Sequence, residues 1–428
     1  MIKRSVVASA RIDRAGYHAA EMARQFHLTL VLAALTGIAT GLAIAGFDWC
    51  VDRALTVVER QGLLWTAAFP AAGLLAVMAI AAVTRTADTT TTDAYVHAYH
   101  ERGGRLHART LARKVPCAAI TLATGNAMGF EGPSLLIGAT VGSEVEHRFA
   151  GGLRRDDAKV LMVAGAAAGV AAIFKAPLTG VLFALEVPYS ADLARRALVP
   201  SLVAAGTSYV TFVAIIGTEP LLATGTAAPF DLSDLGAGLV LGMLCGVLAR
   251  LGAWAIARAK RIAQATVARI PVIVVGSLAL AATAQWGFDD PVHLGPGYLA
   301  IGWTDEADRT LLALGALFTI RAIATWIAVG GGGVGGLFIP LVTQGAIVGS
   351  IVQQILPASN DHLLPTVGIA AFLGAGYCTP LAGVAFVAEA TGQPGFLVPA
   401  LLAAAAAQLV MGGRSFSAYQ QSERRADR

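Results

Sequence analysis

The sequence is short of charge. Of its 428 residues only 14% are Asp, Glu, Lys or Arg, whereas 56% are hydrophobic. A soluble domain carries about 25% charged residues, so this chain cannot cover a water-facing surface, and an ordinary cytosolic enzyme is excluded. Cysteine is scarce too. Cys50, Cys117, Cys245 and Cys378 lie far apart, which excludes a disulfide scaffold and offers no metal-ligand spacing. A net charge of +4 is too small for a nucleic-acid partner, and the hydrophobic content excludes disorder.

Where charge is missing, it is missing in long runs. Leu28–Phe47 has 20 residues without a charge, Gln61–Thr84 has 24, Ala197–Thr218 has 22, Ala322–Asn360 has 39, Leu363–Ala388 has 26 and Ala390–Gly413 has 24. About 18 such residues suffice for a membrane helix. Shorter runs lie between them, and the pattern predicts ten to twelve membrane segments in one all-α domain spanning residues 1–428. Basic residues orient it. The tail 1–27 carries five Lys/Arg, the loop 85–114 six, the segment 250–269 five with no acid, and the tail 414–428 four; the loop 289–309 carries five acids and one Arg. Both tails are therefore expected in the cytoplasm and 289–309 outside, in a multi-pass protein of the inner (plasma) membrane, surrounded by lipid. The short tails leave no room for an appended soluble domain.

Glycine, by contrast, is abundant, with 48 residues, and part of it sits in a repeat. GFEGPSLLIGATVGS (129–143) corresponds to GGLFIPLVTQGAIVGS (335–350), and KAPLTGVLFALEV (175–187) to CTPLAGVAFVAEA (378–390). Pro177 to Glu186 and Pro380 to Glu389 are both nine residues. The approximate halves are 28–218 and 235–413. Duplicated halves in a membrane protein point to a transporter with its site at the repeat interface. Gly129, Gly132 and Pro133 break one apolar stretch; the glycines from 330 to 336, including Gly336, and Pro340 break another. Broken backbone at membrane depth survives where protein or water satisfies its polar groups. A Pro in the first turn starts a helix, whose free N–H groups then face the break and form an anion site. The competing reading is that these glycines only let helices pack closely.

Glu131 sits at the first break. An ionisable group there is a functional candidate: its carboxylate competes with an anion for the same N–H groups, and protonation would release them. The alternative is a structural carboxylate paired to Lys114 or Arg321. Glu186 and Glu389 read as structural groups near segment ends, and Lys175 either adds positive potential or snorkels outward. An intramembrane enzyme would need a base beside Ser134 or Cys378, yet all eight His fall in tails, loops or segment ends, so no enzymatic activity and no cofactor is expected.

These residues resemble the CLC family of chloride channels and proton-coupled anion exchangers over roughly residues 28–420. GFEGP (129–133) is similar to the family's G(K/R)EGP, which would make Glu131 the gating glutamate. GGLFIP (335–340) is similar to its GxFxP, where the N–H groups of Leu337 and Phe338 would hold the anion together with those of Phe130 and Glu131. The resemblance implies an inverted-topology repeat of tilted, broken helices and a homodimer with one pore per subunit. Three departures stand out. The family's GSGIP is here Thr89–Thr90–Thr91–Thr92–Asp93, with Thr90 at the position of the anion-binding serine. The pore-lining tyrosine falls on either Phe416 or Tyr419. Val187 stands where exchangers usually carry a second glutamate that relays protons. The expectation is therefore a passive, Glu131-gated chloride channel, with a proton-coupled chloride or fluoride exchanger as the alternative.

Overall fold

A computed structural model describes residues 2–84, 90–149, 158–222, 230–264, 269–288, 290–304, 309–356 and 358–422. The helices run α1 (Ile2–Glu59), α2 (Leu63–Thr84), α3 (Thr91–Glu101), α4 (Ala108–Ala123), α5 (Glu131–Phe149), α6 (Ala158–Phe174), α7 (Pro177–Glu186) and α8 (Leu198–Ile216). They continue as α9 (Leu232–Ala263), α10 (Arg269–Phe288), α11 (Tyr298–Thr304), α12 (Leu311–Gly330), α13 (Phe338–Ile355), α14 (Leu363–Tyr377), α15 (Pro380–Thr391) and α16 (Leu397–Met411). Among the described residues, eight helices are long and apolar enough to cross a membrane, and α6, α7, α14 and α15 are shorter apolar helices. The chain is an all-α, multi-pass membrane protein.

Two of the charge-free runs are not single spans. The 39-residue run divides between α12 and α13, across the glycines that precede Phe338. The 26-residue run divides into α14 and α15 at Cys378, whose φ of 55° ends the first helix in the left-handed region. A run length counts charges and is blind to a backbone reversal. Lys175, with φ 52°, separates α6 from α7 at the corresponding place.

The order of elements therefore repeats. In α5–α8 and again in α13–α16, two packed helices are followed by a left-handed residue, a short helix beginning with Pro, a 3-10 turn and a longer helix. Glycine stitches each pair. A Cβ on Gly138 would lie 2.0 Å from the Gly165 carbonyl oxygen, and one on Gly345 would lie 2.3 Å from that of Gly368. Gly180 and Gly383 likewise meet the carbonyls of Ala167 and Ala370. Small residues let helix backbones touch where lipid supplies no hydrophobic drive between them. Much of the glycine surplus thus serves close packing, and a smaller part forms the site.

The two short helices also hold each other. Glu186, at the end of α7, accepts the N–H groups of Leu381 (3.2 Å) and Ala382 (2.8 Å) at the start of α15. Glu389, near the end of α15, accepts those of Leu178 (2.9 Å) and Thr179 (2.7 Å) at the start of α7, plus the Thr179 hydroxyl. A helix opening with Pro still leaves orphan N–H groups in its first turn; here each is capped by the acid closing its partner. The shared spacing of nine residues is what makes this reciprocal capping possible.

Candidate functional site: two helix starts around Glu131

The two breaks meet. Gly129 and Gly336 exchange both backbone hydrogen bonds, each 2.9 Å, and Thr90 pairs with Gly335 in a parallel bridge. From this junction α5 begins at Glu131 and α13 at Phe338, with Pro133 and Pro340 each third in its helix. Neither Pro breaks its helix, because first-turn N–H groups have no intrahelical acceptor to lose.

The Glu131 side chain turns back into this junction and is fully buried. Its Oε1 accepts the Phe338 N–H, and the N–H groups of Ile339 and of Glu131 itself also face the carboxyl. Donors from both helix starts converge on one carboxylate, at the positive ends of two helix dipoles. Oε2 has no hydrogen-bond partner among the described residues. The cradle exists because three positions lack a Cβ. One on Gly336 would lie 1.9 Å from Oε1, one on Gly129 2.0 Å from Oε2, and one on Gly132 2.8 Å from the Gly336 Cα. Arg321 is not the partner of Glu131: its guanidinium donates to the carbonyls of Val292, Leu294, Gly295 and Pro296, at 2.8–3.2 Å.

The remaining sequence candidates fall into three groups. Phe130, Leu337 and Phe338 are buried at the junction. The Phe338 ring packs among Phe174, Phe183 and Phe386, and Phe130 packs edge-on against Phe47. Thr90 is adjacent, but its hydroxyl donates to Asp93 Oδ2 at 2.5 Å. Thr89 lies outside the described residues. Of the two C-terminal aromatics, Phe416 is the nearer to the cradle, since it lines one cavity with Leu337 and Pro340. Phe416 packs its ring beside Gly252 of α9, and Tyr419 is 54% exposed with its ring 4.8 Å from that of His97. Val187 is buried at the end of α7 and brings no ionisable group. Lys175 reaches outward to the Glu219 carbonyl at 3.1 Å.

The tyrosine at the site is one that sequence reading missed. Tyr377, the last residue of α14, is buried, and its hydroxyl accepts the Leu337 N–H at 3.2 Å. Its phenol faces the Thr92 hydroxyl and lies within electrostatic reach of both Glu131 and Asp93. The cue was present in the sequence: Tyr377 directly precedes Cys378 and the second Pro-started block. On the other side of Glu131, the Tyr298 phenol of α11 is within electrostatic reach of that carboxylate.

A carboxylate lodged between two helix starts, related by an internal repeat inside a polytopic helical protein, defines a membrane protein with an acid held on helix N-termini at a break in its spans. The chain belongs to the voltage gated chloride channel family, whose match covers residues 72–412. It is 26% identical to an H(+)/Cl(-) exchange transporter ClcA of Yersinia pseudotuberculosis, over 90% of this chain and 86% of that one. The same figures relate it to a ClcA of Klebsiella pneumoniae. Among solved structures, a CLC-type fluoride/proton antiporter superposes with a TM-score of 0.78 over 93% of this chain and 98% of that one, at 20% identity. A slow cyanobacterial Cl-/H+ antiporter superposes with 0.77 over 91% and 96%, at 22% identity. These likenesses agree on the fold, an inverted repeat of broken helices.

Proposed function

We propose that this protein is a proton-coupled anion exchanger, with chloride as the first candidate substrate and fluoride the next. The observation that carries the reading is the Glu131 carboxylate seated on the Phe338 N–H between the two helix starts. A hydrogen bond to a charged group is worth about 1.5–3 kcal/mol, so a diffusing anion must offset that to displace an ionised Glu131. A proton on Oε2 removes the charge that the N–H groups hold. The side chain then yields its donors, and an anion takes them. When the proton leaves, the carboxylate returns and expels the anion. Proton and anion thus compete through one side chain, which is the physical basis of coupled exchange.

The relatives support exchange over the passive channel expected from sequence, since the curated ones are named exchange transporters. Val187 favours the channel, because it cannot carry a proton. The charge distribution supports an outward-facing Tyr298 side of the cradle and both tails in the cytoplasm of an inner membrane. The resemblance to the family supports a homodimer. Purified protein in liposomes loaded with chloride, diluted into low chloride, tests the reading: inward proton movement as chloride leaves is expected, and chloride efflux with no external pH change would replace it with the channel.

A further inference from the structure

Asp93 is buried in the first turn of α3, and both oxygens of its carboxylate are occupied. Oδ2 accepts from Lys260 Nζ at 2.6 Å and from the Thr90 hydroxyl at 2.5 Å. Oδ1 accepts from the Ala418 N–H at 2.7 Å and the Ser417 hydroxyl at 3.0 Å. These donors come from three segments distant in sequence: the start of α3, the last turn of α9 and the stretch after α16. An ammonium, two hydroxyls and a backbone N–H converging on one point are what a small monovalent anion requires. At this place the anion is tethered to the protein.

The position is as informative as the donors. The Tyr377 phenol is within electrostatic reach of both Glu131 and Asp93, and it touches the Leu337 N–H of the cradle. Thr90 is hydrogen-bonded to Asp93 through its side chain and bridges through its backbone to Gly335, next to the glycine under Glu131. The two carboxylates therefore flank one phenol and one backbone junction. Glu131 faces Tyr298 on one side, and Asp93 faces Lys260 and the C-terminal segment on the other.

We infer that Asp93 is a second gate, in series with Glu131 on the Lys260 side. Its carboxylate fills an anion subsite built from Thr90, Lys260, Ser417 and the Ala418 N–H, and a permeating anion passes by taking its place. This inference rests on the anion-transport reading and extends it to the far end of the path. Lys260 gives the subsite its sign. With Asp93 in place the ammonium is neutralised; with the carboxylate swung aside it is free to draw in an anion.

Chloride flux from proteoliposomes tests this. Asp93→Asn keeps the shape and removes the charge, so it is expected to raise flux severalfold and to lower the half-saturating chloride concentration. Lys260→Gln is expected to do the reverse. Ser417→Ala keeps the ion pair and loosens only one donor, so it separates gating from loss of fold: its flux should rise. If the cluster merely pins the C-terminal segment, Asp93→Asn and Ser417→Ala will leave flux unchanged or lower it together with thermal stability, and the proposal is overturned. Wild-type liposomes no leakier to chloride than empty ones would instead overturn the transport reading itself.

Discussion

At the residue scale, the site depends on what is missing. Gly336 and Gly129 are the positions where a methyl group would strike the Glu131 carboxylate, at 1.9 and 2.0 Å. Gly336→Ala should therefore expel the carboxylate from its cradle and leave chloride flux high and insensitive to pH. The added strain should cost about 1–3 kcal/mol, read as a lower unfolding temperature in detergent. Flux that keeps its pH dependence would mean the carboxylate has another seat. Glu131 was legible in the sequence because an acid between helix-breaking residues is rare inside a span. Tyr377 was signalled only by its place before the second Pro-started block, because a tyrosine at a helix end looks the same whether its hydroxyl meets solvent or a buried N–H. Asp93 was visible only as a departure from a motif, since three of its four donors lie more than 150 residues away along the chain.

At the element scale, α7 and α15 form a unit. Each short helix has its first turn capped by the acid that ends the other. Replacing Glu389 with Ala should cost about 0.5–2 kcal/mol, the range for a lost N-cap, and Glu186→Ala about 1–3 kcal/mol, because buried N–H groups are then left unmet. Thermal unfolding of the single and double variants checks this. The double variant should lose less than the sum if the clasp is cooperative, and strict additivity would mean two independent caps. The repeat was readable from equal spacing. Its purpose was not, since the partner of each acid belongs to the other half of the chain. The breaks at Lys175 and Cys378 were hidden for a different reason: a left-handed residue leaves no trace in a count of charges.

At the scale of the whole molecule, the loop charges favour cytoplasmic tails and the apolar helix faces suit a bilayer. Cys50 is the exposed one of the four cysteines, and the other three are buried. With the N-terminus in the cytoplasm it lies on the outer side, so a membrane-impermeant maleimide added to intact cells should label the protein, and Cys50→Ser should abolish labelling. Labelling only after the cells are opened would reverse the orientation. Hydropathy carried the multi-pass organisation almost unaided, because the bilayer constrains length before any side chain is placed. The proposed coupling of proton to anion would be a property of the complete path, and one comparison tests it: wild type and Glu131→Gln in chloride-loaded liposomes, with chloride and external pH recorded together. The account predicts that wild type moves protons against the chloride gradient, and that Glu131→Gln passes chloride with no proton movement. Proton movement undiminished in Glu131→Gln would contradict it.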